Sequence, residues 1–289
     1  MKDKTALYLF AGVSFVLPVI FIVILVHVVF ESIPAVTGLG MLLIDSSGVW
    51  RPLSQTPAFS ILPVALATLY VASLAVAIAA PIGGMSAIFL NYYAGHRLTK
   101  LVLTFVDLLA GVPSVIYGFI GLVVVVRNFE RIFNMSAGES ILAAAVVLSV
   151  MLLPYIISTY NESIAKAKSK YNTASIALGI SPEYSVLKVI IPITKRGAGA
   201  AVISAFGRAS SETIAVMMVI GNAPIFPRLL GRGQTISGLT ALEIGSAEIG
   251  SVHSSAIYSA NLMMILMLSV ILFVTYFLRR KLLSEYDKI

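Results

Sequence analysis

The chain has 289 residues, 58% hydrophobic and 11% charged, with a net charge of +7 and a mean hydropathy of +0.97. Those values exclude an ordinary soluble domain and fit a protein whose solvent is the bilayer. The absence of cysteine excludes a disulfide framework and a thiolate metal site, and His27, His96 and His253 are too scattered to suggest a metal cluster.

Behind Lys2 and Lys4, the run Thr5 to Phe30 has no formal charge. It is too long for the core of a signal peptide and reads as a retained first helix. Further membrane-length runs occupy about 60–90, 98–126, 139–161, 195–222 and 252–278, so six transmembrane helices are expected. The second run is longer than one span needs and holds Pro81, Gly83 and Gly84, which predict a bend towards the interface.

The basic residues lie in short loops between apolar runs, which reads as a topology signal rather than a nucleic-acid patch. Fourteen lysines and arginines fall on the side of the termini and five on the other, with Arg208 left inside the membrane. Both termini are therefore expected in the cytoplasm. The external connections are then 31–59, 127–138 and 223–251, the last with a short amphipathic helix in "ISGLTALEIGSAEIGS". Trp50, Tyr92, Tyr93 and Tyr276 read as interface anchors, His27 as an interfacial side chain, and Met217, Met218, Met263, Met264 and Met267 as packing residues. The tail "LRRKLLSEYDKI" reads as a cytoplasmic stop signal.

The segment 162–194 is the largest cytoplasmic connection. Its first half has helix-forming composition and Gly179 is a C-terminal stop. Ser181 and Pro182 then fit the N-cap and first position of a second helix. Two short helices outside the membrane offer a docking surface, or simply a solvated connector.

In "AFGRASSETIAVMMVIGN", Arg208 and Glu212 stand four residues apart, so one helix face would carry both and let them pair. Leaving either charge in hydrocarbon costs at least about 2.5 kcal/mol, so both must face protein or water. They are read either as an ion pair that fixes helix register or as a path for an oxyanion, where the planar guanidinium supplies positive potential and Glu212 holds it and tempers binding. Asp107 stands a few residues into the third run, where it snorkels or accepts from a hydroxyl. Alternatively, together with Pro113 and Gly118, it belongs to a kinked span that moves during gating.

These stretches resemble a known family. The permeases of bacterial and archaeal ABC importers carry the cytoplasmic pattern Glu-Ala-Ala-x3-Gly-x9-Ile-x-Leu-Pro. At the same spacing this chain has Thr173, Ala174, Ser175, Gly179, Val189, Ile191 and Pro192. Gly179 and Pro192 agree in identity and separation, whereas Thr173 and Ser175 depart from the pattern. "DLLAGVPSVIYGFIGL" and "GRASSETIAVMMVIGN" are similar to segments of permeases in the phosphate-specific Pst importer, and the "ETIAVMMVIGN" ending and "ALEIGSAEIGSVHSSAIYSANL" resemble its PstC-type more than its PstA-type permease. The family's usual glycine before the acidic residue is Ser211 here.

That resemblance implies an all-α membrane protein with the type I ABC importer permease fold. It also implies partners: a PstA-like second permease, a dimer of ATP-binding subunits docked at Thr173, Ala174, Ser175, Gly179 and Pro192, and an external phosphate-binding protein. Arg208 and Glu212 would line the phosphate pathway. No Gly-x4-Gly-Lys-Ser/Thr loop is present, so the chain is expected to be a transport subunit with no cofactor of its own, ATP being hydrolysed on a partner. The competing expectations are a permease for molybdate, sulfate or another oxyanion, an ATP-independent secondary transporter or channel, and a membrane scaffold without transport.

Overall fold

Backbone N–H and C=O groups cannot be left unpaired in hydrocarbon, so the apolar runs form long helices that satisfy them internally. The computed structural model describes residues 2–45 and 48–284. The end of the basic tail, 285–289, lies outside the described residues.

Helix α1 spans Lys2–Leu39, beyond the predicted end at Phe30, and passes into a 3-10 turn at Gly40–Ile44. A small hairpin of β1, Trp50–Arg51, and β2, Ala58–Phe59, pairs Trp50 with Phe59. Helix α2, Leu62–Tyr92, continues through Pro81, so the expected bend does not interrupt it. Helices α3, His96–Ala110, and α4, Ser114–Ile120, meet at 96° across Gly111 to Pro113, a break sharper than the predicted kink. A π turn at Gly121–Val126 joins α4 to α5, Arg127–Ile132.

Helix α6, Ile141–Ala177, carries the fourth run and the first half of the predicted cytoplasmic segment in one piece. The second half starts at α7, Pro182–Ser185, and runs through a π turn at Val186–Ile190 directly into α8, Ile191–Ser211. The two expected short helices are therefore the tips of two long ones. Helix α9, Ile214–Ile220, α10, Ile236–Glu243, and α11, Val252–Ser284, complete the chain.

Four stretches are long and apolar enough to cross a bilayer: Ser14–Ile44, Leu62–Tyr92, Ile141–Ala177 and Val252–Phe273. The bent pair of α3 with α4 and α5 raises that to as many as five. The remaining predicted run, 195–222, is occupied by α8 and α9, which are separated at Glu212 and Thr213.

The central contact is α2 against α6. Ala67, Ala72, Ala75 and Ala79 face Ala143, Ala144 and Ala145 in one buried cluster. Small side chains let two helix backbones approach closely, which is where packing energy comes from when lipid tails compete equally for apolar surface. The same cluster takes in Ala205 and Ala209 of α8 and Ala215 and Val219 of α9. Gly118 holds α4 against α9: a Cβ there would stand 2.7 Å from the Met218 Sδ and 2.9 Å from the Ala215 Cα. Gly118 thus permits close packing of α4 on α9.

A second cluster closes the end of the molecule that bears the hairpin. It contains Trp50, Phe59, Ile236, Leu239 and Ile257, with Met263, Met264 and Met267 packed against it. Trp50 is 5% exposed, which corrects its reading as an interface anchor. Its Nε1 donates to Glu243, and the His253 Nε2 lies 2.8 Å from the same carboxylate. Helix α10 is the short amphipathic helix expected in "ISGLTALEIGSAEIGS": it buries Ile236, Gly238 and Leu239, leaves Ala241 and Leu242 exposed, and is capped by Thr235, which accepts from the Gly238 N–H. Apart from these clusters, α1 pairs with α11, where His27 meets Tyr258 edge to face at 5.4 Å.

Candidate functional site

The α3–α4 bend opens a cavity of about 240 Å³ between those helices, α6 and α8. Its polar lining is Asp107 from α3, Tyr117 from α4, Tyr155, Ser158 and Thr159 from α6, and Arg208 from α8. Local sequence accounts for each placement. Pro113 has no N–H to continue α3, so the chain turns and α4 restarts at Ser114. The Tyr117 hydroxyl then donates back across the bend to the Leu109 carbonyl at 2.9 Å, which ties the two arms together. On α6, Tyr155, Ser158 and Thr159 fall one turn apart on a single face, beside Pro154. Arg208 stands in the last turn of α8, where a cation suits the helix dipole.

The expected partner of Arg208 is not the one found. Helix α8 ends at Ser211, and Glu212 takes an extended conformation with φ −70° and ψ 126°. The shared helix face that would have brought the pair together is therefore lost, and Arg208 and Glu212 form no ion pair. Glu212 instead turns towards α9, where its Oε1 accepts from the Ala215 N–H at 3.2 Å. Its backbone carbonyl accepts from the Ser237 hydroxyl at 3.1 Å, so Glu212 ties α8, α9 and α10 together. Asp107, placed by the sequence in a snorkelling or gating role, is the carboxylate that shares the cavity with Arg208. Neither Asp107 nor Arg208 belongs to an ion pair among the described residues. Tyr117, Tyr155, Ser158 and Thr159 were missed by sequence reasoning. For the three on α6 the only signal is an i, i+3, i+4 set of hydroxyls in an apolar run, visible once α6 is known to face the bend.

An exposed guanidinium facing hydroxyl groups is chemistry for an oxyanion. The planar fork donates two parallel hydrogen bonds, and hydroxyls serve as donor or acceptor as the anion requires.

At the far tip of α6 the predicted stop is realised in detail. Gly179 has φ +66°, its N–H donates to the Ile176 carbonyl at 3.0 Å, and the Ile180 N–H donates to the Ser175 carbonyl at 3.0 Å. Those two bonds make a Schellman cap, which demands a left-handed residue at this position. Ser181 caps α7 by accepting from the Tyr184 N–H, and Ser175 and Ser185 join the two helix tips through buried hydroxyls 3.3 Å apart. Thr173, Ala174 and Gly179 are exposed, whereas Ser175 is buried and Pro192 sits half-buried where α8 begins. Around them Ile176, Leu178, Tyr184 and Leu187 are between 56% and 77% exposed. This is a compact apolar knob built on a rigid turn. Behind it, Lys168 reaches the Asn91 carbonyl and covers the Tyr92 ring at 4.6 Å, and Asn91 donates to Asn161 at 2.6 Å. Those contacts fix the end of α2 to α6.

Comparison with known proteins places this arrangement. Residues 79–285 match the family described as binding-protein-dependent transport system inner membrane component. The chain is 33% identical over 219 residues to the probable ABC transporter permease protein YqgH of Bacillus subtilis, covering 75% of this chain and 71% of that one. It is 32% identical over 287 residues to the probable phosphate transport system permease protein PstC of Methanocaldococcus jannaschii, covering 92% of this chain and 90% of that one. Among solved structures, an inward-facing form of the MetNI methionine ABC transporter aligns with a TM-score of 0.58 at 20% identity, covering 74% of this chain and 92% of that one.

Proposed function

Because the chain belongs to the family of binding-protein-dependent transport system inner membrane components, and so is a multi-pass permease component of an ABC importer rather than an enzyme, we propose that its cargo is inorganic phosphate. The observation that carries this reading is the position of Arg208, open to a hydroxyl-lined cavity at a broken span and engaged by no carboxylate among the described residues. The phosphate transport PstC relatives support the same cargo. In this reading α8 and α9 together form the fifth of six spans, both termini face the cytoplasm, and the cavity is one wall of a pathway completed by a PstA-like second permease.

The apolar knob around Gly179 docks an ATP-binding subunit, and a dimer of such subunits hydrolyses ATP to drive access from one side to the other. An external phosphate-binding protein delivers the anion to the surface that carries the hairpin and α10. Glu212 takes part in the pathway by fixing the backbone that follows Arg208, not by holding its guanidinium.

Membrane vesicles containing the whole importer test the reading. ATP-dependent uptake of labelled phosphate is expected, and Arg208→Ala is expected to lower it at least about tenfold with insertion unchanged. Uptake of sulfate or molybdate in place of phosphate would assign a different cargo. Uptake by the purified chain alone, without ATP, would replace the importer by a secondary transporter or channel.

A further inference from the structure

The cavity contains a group that an anion path by itself does not call for. Asp107 and Arg208 line the same 240 Å³ space from opposite helices, α3 and α8, and they are its formally charged side chains. A carboxylate there repels every passing oxyanion, unless that anion carries a hydrogen it can donate. At neutral pH phosphate and arsenate keep an O–H, whereas sulfate and molybdate do not. The geometry points to Asp107 as the residue that sets the class of anion, accepting the O–H of a protonated oxyanion held by Arg208 and turning away anions that have none. The inference rests on the phosphate-pathway reading and adds to it a selecting residue.

Three features of the site support that role. Arg208 offers only donors, so it binds any tetrahedral oxyanion and cannot distinguish among them. The hydroxyls of Tyr155, Ser158 and Thr159 can each donate or accept, so they too adapt to either class. Asp107 is the acceptor-only side chain of the lining, and an acceptor-only group is what a ligand hydrogen must find. Selection then works through repulsion of the wrong ligand as much as through attraction of the right one. Tyr117 contributes indirectly, since its bond to the Leu109 carbonyl fixes the bend that presents Asp107.

The test uses the whole importer in membrane vesicles, and the lack of cysteine in this chain permits a single reporter in it, read against the same importer without that cysteine. Ser158→Cys places a thiol in the cavity, and the rate at which a charged thiosulfonate modifies it is measured with inorganic phosphate, arsenate or sulfate at equal ionic strength. Phosphate and arsenate are expected to slow labelling, and sulfate to require on the order of tenfold higher concentration for the same effect. With Asp107→Asn that gap is expected to close, because an amide offers a donor as well as an acceptor. Asp107→Ser is expected to behave as Asp107→Asn and covers the case in which the amide disturbs the bend, while Asp107→Glu is expected to keep the preference.

A gap that persists in both neutral variants overturns the role of Asp107 and leaves the pathway standing, provided that Arg208→Ala abolishes protection by all three anions. Labelling that no anion slows in the parent chain overturns the pathway and the selecting residue together.

Discussion

The indole N–H of Trp50 donates to both carboxylate oxygens of Glu243, at 3.1 and 2.9 Å, across 193 residues of chain. This bond, with His253 on the same carboxylate, locks the hairpin that follows α1 onto α10 and the start of α11. Glu243→Ala leaves a buried donor without an acceptor, an expected loss of about 1 to 3 kcal/mol. Trp50 is the chain's single tryptophan, so its fluorescence reports the change directly. A red-shifted emission and a lower melting temperature are expected; an unshifted spectrum would mean that the lock does not exclude water.

Glu212 and Arg208 should respond differently to neutralisation. Glu212 acts through an oxygen that accepts the Ala215 N–H, and a glutamine retains such an oxygen. Glu212→Gln is therefore expected to keep most phosphate uptake, and Glu212→Ala to lower stability by about 1 kcal/mol through loss of the cap. Uptake in vesicles and thermal melts of the purified variants check this. If Glu212→Gln is as damaging as Arg208→Ala, the two side chains work as a pair in some state of the transport cycle.

Gly179 is held at φ +66° by its cap, in a region that costs a branched side chain about 1 to 2 kcal/mol. Space is not the difficulty, since a Cβ there meets nothing within 4 Å. Gly179→Val is expected to misplace the exposed knob and reduce transport-coupled ATP hydrolysis several-fold, while Gly179→Asn, which tolerates the left-handed region, is expected to preserve it. ATPase assays on the assembled importer decide the point, and equal activity in the two variants would remove the turn from the coupling route.

At Gly197 helices α6 and α8 pack too closely for a side chain: a Cβ there would clash with the Ser163 Oγ. Gly197→Ala is expected to cost about 1 to 3 kcal/mol by overpacking. Ser163→Gly in the same chain is expected to recover much of that loss, so a double-mutant cycle should give a coupling of about 1 kcal/mol. Additive effects would show that the helices separate freely at this level.

The long helices were legible because hydrophobic composition and length are what a bilayer demands, as in 139–161 and 252–278. So were Gly179, Ser181 and Pro182, because caps follow from local backbone chemistry. The pairing of Arg208 with Glu212 failed for the opposite reason: a spacing of four predicts contact only while the helix continues, and nothing local shows that α8 stops at Ser211. Asp107 and Arg208 come to line one cavity through the 96° bend, a tertiary fact that Pro113 announces without giving the direction of the turn. Trp50 looked like a lipid-interface residue because indole suits both settings. Only the distant Glu243 decides between them.

From Pro182 through the π turn to Ser211 the backbone never leaves the helical state. At 1.5 Å per residue, the Pro182 end and Arg208 are the two ends of a rod about 39 Å long. A push on the knob, whatever delivers it, arrives at the guanidinium without passing through a flexible loop, and the π turn near the driven end is the point where the rod can shed or gain twist. The proposed docking knob and the proposed cargo contact thus belong to one mechanical part, and a change in its tilt would move both at once.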